Sequence, residues 1–255
     1  MRLYIKLCSD NDIILPVSYT HALQAIIYRH LPEDKAEWLH NEGFKYEKRR
    51  FKLFSFSEIL AKGSYDKKFK KLKFPKEVSI AITSPIGWIL EKLATNLTQK
   101  GFINFCGTDL RIQPIDISDT PSFENGCADI KMLSPMEVHT TFYSRNDKKF
   151  TKHYNPFDDE FISLINENLK KKWEICFKEE NFPSPIKIKP LFSYRDKDNF
   201  KRILKFRKGS ELTIIEGWKG YYHIEGDPRV LNLAYEVGLG SRNSGGMGMW
   251  ELKKQ

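Results

Sequence analysis

The stretch Tyr235-Glu-Val-Gly-Leu-Gly-Ser-Arg-Asn-Ser-Gly-Gly-Met-Gly-Met-Trp250 decides how the rest of the chain is read. Five of the fifteen glycines, Gly238, Gly240, Gly245, Gly246 and Gly248, fall within it. A backbone so rich in glycine can take positive φ and approach an anion or a nucleic-acid backbone with no Cβ in the way. The order of elements narrows the reading. A helical pattern precedes the glycines and Met247 to Leu252 follows as a strand, whereas phosphate loops of nucleotide enzymes run strand, loop, helix. No Gly-Lys-Ser/Thr follows either. The Rossmann and Walker fingerprints are therefore excluded, and glycine content alone needs no more than a tight turn feeding a terminal strand.

Upstream of the glycines, Asp227-Pro228 caps a helix with Val230, Leu233, Ala234 and Val237 as its apolar stripe. Before it come strands at Ile186 to Phe192, Lys201 to Arg207 and Leu212 to Trp218. Asn155-Pro156 opens a helix with the stripe Phe161, Leu164, Ile165, Leu169 and Trp173, an acidic first turn, and Lys170 to Lys172 in its last turns, where cations are favoured. Ala128 to Met132 is a strand and His139 to Arg145 its hairpin partner. The first half has the same order. Met1 to Cys8 alternates as a strand, and Ser18 caps a helix through about Leu31. A short helix runs from Pro32 to near His40, with Gly43 suited to the left-handed position after its end. Strands at Phe51 to Ser57 and Val78 to Ile82 follow, then a Ser84-Pro85 helix to Gly101 and a strand at Asp109 to Ile117. The simplest account is an α+β chain of two tandem ferredoxin-like, RRM-like βαββαβ domains, 1–120 and 121–255, the second carrying the glycine-rich loop.

Net charge is +9, and Asn41 to Lys76 carries twelve Lys/Arg against four Asp/Glu, so one segment holds nearly all the excess. Interleaved aromatics make it the electrostatic footprint of a polyanion, nucleic acid before membrane. Lys45, Tyr46, Lys48, Arg49 and Arg50 are its candidate contacts. Lys62 to Lys76 reads equally well as a solvated lysine-rich loop. Lys201, Lys205 and Arg207, at period two on one strand face, form a second basic strip. Cys8, Cys106, Cys127 and Cys176 lie far apart, with no Cys-x-x-Cys and no Cys/His set at metal-ligand spacing, so no metal and no cofactor is expected. No apolar run approaches the roughly 18 residues that span a bilayer, and the first strand does not read as a signal peptide. A cytoplasmic protein without a membrane partner, monomeric or homodimeric, is the expectation.

Ferredoxin-like units with a basic, aromatic surface suggest RNA, yet the RNP signature of a standard RNA-recognition domain is absent from both halves. The chain resembles the CRISPR-associated repeat-RNA endoribonucleases, the Cas-six family. The resemblance rests on Gly-Leu-Gly-x-x-x-Ser-Gly-Gly-Met-Gly at 238–248, Leu133-Ser-Pro135, Gln24-Ala-Ile-Ile-Tyr28, Leu39-His40 and Phe51-Lys-Leu-Phe54. It implies a glycine-rich loop that helps hold RNA, with Gly238, Gly240, Arg242, Asn243, Gly245, Gly246 and Gly248 in contact. It also implies metal-independent cleavage of a CRISPR precursor repeat transcript, with Tyr28, His40 and Lys52 as the catalytic group. RNA supplies its own nucleophile in the 2′-hydroxyl, so the protein needs only proton exchange and a cation for the developing charge. Products would be a 2′,3′-cyclic phosphate and a 5′-hydroxyl. Lys45, Tyr46 and Lys48 compete for the lysine and tyrosine roles, and His30 and His139 are further candidates. Without the resemblance, His40 is a helix-end cation, Tyr28 half-buried packing and Lys52 a solvated lysine. The alternative to an enzyme is a non-catalytic RNA-binding relative within a CRISPR effector complex.

Overall fold

Alternation in the first strand, Arg2–Cys8, turns Leu3, Ile5 and Leu7 to one face, where each is essentially excluded from solvent. Each such side chain contributes about 1.5–3 kcal/mol by leaving water. The structure, a computed structural model, describes every residue except 145, 148, 179, 209, 210 and 255; for 206–208, 211 and 212 it describes the backbone alone. The chain forms two compact units, Met1–Thr120 with Ser244–Gly246, and Pro121–Asn243 with Met247–Gln255.

In the first unit, Arg2–Cys8 pairs antiparallel with Glu77–Thr83 on one side and Thr108–Ile112 on the other, while Ser55–Phe56 extends the sheet beyond Glu77–Thr83. Taken in chain order these four strands lie 4-1-3-2, the ferredoxin-like arrangement. The helices Thr20–Arg29 and Gly87–Lys100 contribute Leu23, Ile26, Ile27, Ile89, Leu90, Leu93 and Leu97 to the core beneath it. Gly101 ends the second of these at φ 71°, a left-handed position that suits glycine. The second unit repeats the topology. Cys127–Met132 lies between Tyr221–Glu225 and Trp250–Leu252, with Lys187–Pro190 outside Tyr221–Glu225, and the helices Asp159–Cys176 and Pro228–Val237 pack together. The protein is thus α+β, with two tandem ferredoxin-like units.

Several local expectations change. Lys62 to Lys76 is no loop: Lys71–Phe74 pairs with Ser64–Asp66 and with an unforeseen strand, Ile13–Pro16. Ser18 is not the helix cap, because the Thr20–Arg29 helix begins after Tyr19 with no side-chain cap. The strand expected over Phe51 to Ser57 is broken into Arg49–Phe51 and Ser55–Phe56, with Leu53 between them at φ 52°. Asp109 to Ile117 resolves into Thr108–Ile112 and Asp116–Ser118, and Phe102–Phe105 is an additional edge strand. His139–Tyr143 pairs with Lys149–His153 rather than with the strand before it. The inner strand Tyr221–Glu225, which follows Gly220 at φ 106°, is an element the local sequence pattern did not assign. Among the described residues, no helix is long and apolar enough to cross a membrane.

Candidate active site and glycine-rich loop

Tyr28 sits near the end of the helix Thr20–Arg29, one position beyond the buried Ile26–Ile27 pair, so its ring lies half-buried at the stripe's edge. His40 is in the last turn of the next helix, Glu33–Asn41, and Leu39 beside it anchors that helix in the core. The Tyr28 and His40 rings meet edge to face, centroids 5.4 Å apart and planes at 82°. Both line an open cleft of about 860 Å³ together with His21, Gln24, Glu37 and Asn41.

Each polar group has a definable state. His40 Nδ1 is 2.9 Å from Asn41 Oδ1, an oxygen that only accepts, so Nδ1 carries a proton and Nε2 is left as the atom that exchanges one. Burial pushes the Tyr28 phenol up to about 12, which keeps it protonated and a donor at neutral pH. Lys52 Nζ donates to the His40 carbonyl at 2.7 Å. Burial, and then the positive Arg50, lower the Lys52 pKa. Gly43, at φ 63°, leaves room for this side chain: a Cβ there would lie 2.5 Å from the Phe51 carbonyl and 3.1 Å from Lys52 Nζ. The Arg50 guanidinium donates to the Asn41 carbonyl, so the strand Arg49–Phe51 is tied to the helix end that presents His40.

The other candidates separate by position. Lys45 is held by Glu42 at 2.8 Å, and Tyr46 is half-buried in Phe44–Tyr46, whereas Lys48 and Arg49 are exposed. Lys52 is therefore the lysine in contact with His40. His30 is buried, its Nδ1 on the Ile26 carbonyl at 2.8 Å, which makes it a core residue. His139 belongs to a separate cluster with Glu137 and His153. Lys201 is paired with Glu216 at 2.8 Å, Lys205 is exposed, and the Arg207 side chain lies outside the described residues. His21 was missed, although its i, i+7 spacing from Tyr28 puts both on one helix face. Burial lowers its pKa, with a hydrogen bond to Gln24 acting the other way.

The glycine-rich loop is built around a buried ammonium. Lys172, expected in the last turns of its helix where a cation favours the dipole, is buried and donates to Gly238 O at 3.0 Å, Gly240 O at 3.2 Å and Asn243 Oδ1 at 2.6 Å. Three protons meet three acceptors. Burial nevertheless pulls its pKa down to about 7. Asn243 also donates to the Leu239 and Met247 carbonyls, so it is an internal tie rather than an exposed RNA contact. Gly238, Gly240, Gly246 and Gly248 all take positive φ, while Gly245 has open space around it. At Gly248 a Cβ would collide with the Leu239 carbonyl, and Leu239 N–H donates to Gly248 O at 2.8 Å. Arg242, exposed at φ 55°, is the loop's cation.

A tandem of ferredoxin-like units, with a histidine-centred cleft in one and a lysine pinning the Gly238–Asn243 stretch of the glycine-rich loop in the other, defines the class of the protein. The family model described as "CRISPR associated protein Cas6, C-terminal" matches residues 118–252. The chain belongs to the Cas6 family. It is 25% identical over 256 residues to the CRISPR-associated endoribonuclease Cas6 1 of Methanocaldococcus jannaschii, covering 98% of this chain and 91% of that one. It is also 25% identical over 260 residues to the CRISPR-associated endoribonuclease Cas6 of Pyrococcus furiosus, covering 99% and 90%. In fold it is similar to solved structures described as "An RAMP protein binding different RNA substrates" (TM-score 0.79, 20% identity, all of both chains) and "CRISPR associated protein Cas6" (TM-score 0.76, 23% identity, 100% and 99% of the chains).

Proposed function

We propose that this chain, an endoribonuclease of the Cas6 family, processes CRISPR repeat RNA by transesterification, with His40, Tyr28 and Lys52 carrying the chemistry. The observation that supports this most directly is the meeting of the three groups: the Tyr28 ring against the His40 ring, and the Lys52 ammonium on the His40 backbone. In the step envisaged, the 2′-oxygen of the nucleotide before the scissile phosphate attacks phosphorus and its proton passes to water. The P–O5′ bond breaks, and His40 Nε2 delivers a proton to the departing 5′-oxygen. A 2′,3′-cyclic phosphate and a 5′-hydroxyl result. Tyr28, protonated, orients the attacking hydroxyl, and Lys52 opposes the charge that builds on the phosphate oxygens. The exposed Lys48 and Arg49 and the Arg242 loop offer cations for the RNA backbone.

The test uses a labelled repeat RNA in excess EDTA. Cleavage should proceed at an undiminished rate, and a repeat carrying a 2′-deoxy sugar just before the scissile phosphate should bind and stay uncut. Activity abolished by EDTA and restored only by magnesium, or cleavage of the deoxy substrate, would overturn the 2′-hydroxyl mechanism. Binding without any cleavage would identify a non-catalytic relative.

A further inference from the structure

Outside the cleft, the second unit holds a cluster that the cleavage chemistry does not use. The hairpin places His139 and His153 as direct cross-strand partners, and Glu137, two residues before His139, falls on the same face. The histidines are fourteen positions apart, so no sequence spacing announces the group; the strand register creates it. Glu137 is fully buried. Its Oε1 lies 2.6 Å from His139 Nδ1 and 3.1 Å from His153 Nδ1. Its Oε2 has no hydrogen-bond partner, Arg242 Nε being 3.7 Å away.

The second ring nitrogen of His153 limits what can sit there. Nε2 lies 3.2 Å from the Ile214 carbonyl, which only accepts, so Nε2 bears a proton. In the neutral ring, Nδ1 is then a lone pair facing a carboxylate oxygen that is also only an acceptor. Two acceptors at that distance need either a proton or a metal cation to join them. A histidine that gives one N–H to a backbone carbonyl and presents its other nitrogen to a carboxylate-containing cluster has the outer-shell arrangement of a metal ligand.

We propose that Glu137, His139 and His153 form a binding site for a divalent first-row transition cation, of the zinc type, that fastens the His139–His153 hairpin to the Glu137 segment. The donor set suits it: two imidazole nitrogens and one carboxylate oxygen favour zinc, nickel or cobalt over magnesium, which prefers an all-oxygen shell. The dimensions suit it too. Bonds of about 2.0–2.2 Å to a tetrahedral ion set neighbouring donors roughly 3.3 Å apart, and the three donor atoms here all lie within 4.8 Å of one another. Opening the 2.6 and 3.1 Å contacts toward roughly 3.3 Å admits the ion. The His139 side chain, 23% exposed, gives solvent a route in. Three protein ligands leave a fourth position for water. The cation stabilises the second unit and takes no part in cleavage at His40, so this inference stands or falls independently of the proposed function.

The experiment is a Zn²⁺ titration of the full chain, stripped with chelator and dialysed, against an indicator chelator, with Co²⁺ in parallel read by its visible d–d absorption. One Zn²⁺ per chain should bind, Zn²⁺ but not Mg²⁺ should raise the melting temperature, and Co²⁺ should develop a tetrahedral or five-coordinate spectrum. His139→Gln and Glu137→Gln should each weaken Zn²⁺ binding by at least the roughly 10- to 100-fold expected even for an outer-shell partner. Glu137 is buried, so a Glu137→Gln chain that fails to fold leaves His139→Gln, partly exposed, and the wild-type Co²⁺ spectrum to decide. His223→Gln is the control, because His223 sits 2.7 Å from Asp129 and 3.4 Å from Glu225 and is not part of the Glu137 cluster. No uptake at micromolar Zn²⁺, or uptake that His223→Gln abolishes and His139→Gln leaves intact, would overturn the proposal and make the Glu137 cluster a proton-bridged network.

Discussion

Lys52 reaches back across twelve residues to place its ammonium on the His40 carbonyl, 2.7 Å away. One hydrogen bond thereby fixes the lysine and the end of the helix that presents the imidazole.

The first prediction follows from that bond. Lys52→Ala should lower single-turnover cleavage by about 10² to 10³, the range for losing one charge-stabilising donor, while changing RNA affinity little. Gly43→Ala should do similar damage indirectly, because φ 63° and the adjacent Phe51 carbonyl and Lys52 Nζ leave no place for a methyl group. Cleavage rate and melting temperature, measured together, check both. A Gly43→Ala chain with wild-type stability and rate would mean that Lys52 is not held as described.

A second prediction concerns the phenol. With its pKa pushed up to about 12, Tyr28 is essentially all protonated below pH 9, so a role as base would make the rate climb with pH toward 12. As an orienting donor it should contribute about one hydrogen bond, and Tyr28→Phe should slow cleavage by roughly tenfold or less. The rate–pH profiles of wild type and Tyr28→Phe between pH 6 and 9 should be parallel. A wild-type profile that rises through this window, and flattens in Tyr28→Phe, would make the phenol the base.

Lys172 supplies the third. Lys172→Met leaves the Gly238 and Gly240 carbonyls and Asn243 Oδ1 without their donor, at about 1 to 3 kcal/mol for each buried acceptor unmet, and should loosen the glycine loop. The pH dependence has a definite sign. The native pKa, about 7, is below the ordinary 10.5, so between these values the unfolded chain binds more protons and the lysine's contribution to stability rises with pH. Below pH 7 its penalty is complete and constant. Denaturant unfolding of wild type and Lys172→Met from pH 6.5 to 9.5 should show this rise in wild type alone. Equal pH slopes would mean that the three acceptors keep the ammonium charged throughout.

Much of this architecture was legible before any coordinates, for reasons that particular residues make plain. The stripe Leu23, Ile26, Ile27 and the alternation of Leu3, Ile5 and Leu7 each encode one buried face, so both elements fell where expected. Gly43 and Gly101 marked helix ends because both positions need positive φ. Local pattern was silent where long-range pairing decides. Ile13–Pro16 became a strand only because Lys71–Phe74 lies beside it, and Tyr221–Glu225, assigned to no element from local pattern, is an inner strand of its sheet. Lys170 to Lys172 read only as cations suited to a helix end, and nothing local shows that Lys172 alone is buried and meets three carbonyl-type oxygens. The Tyr28, His40 and Lys52 group was reached through family resemblance, whereas His21 needed the helix face and Glu137 needed the hairpin register.

The most direct test of the account is single-turnover cleavage of a labelled repeat RNA by His40→Ala, with RNA affinity measured on the same preparation. If His40 Nε2 delivers the proton to the departing 5′-oxygen, affinity should stay within a few-fold of wild type while the cleavage rate falls by roughly 10² to 10⁴, the usual range for a lost acid–base group. A His40→Ala chain that cuts at the wild-type rate would contradict it.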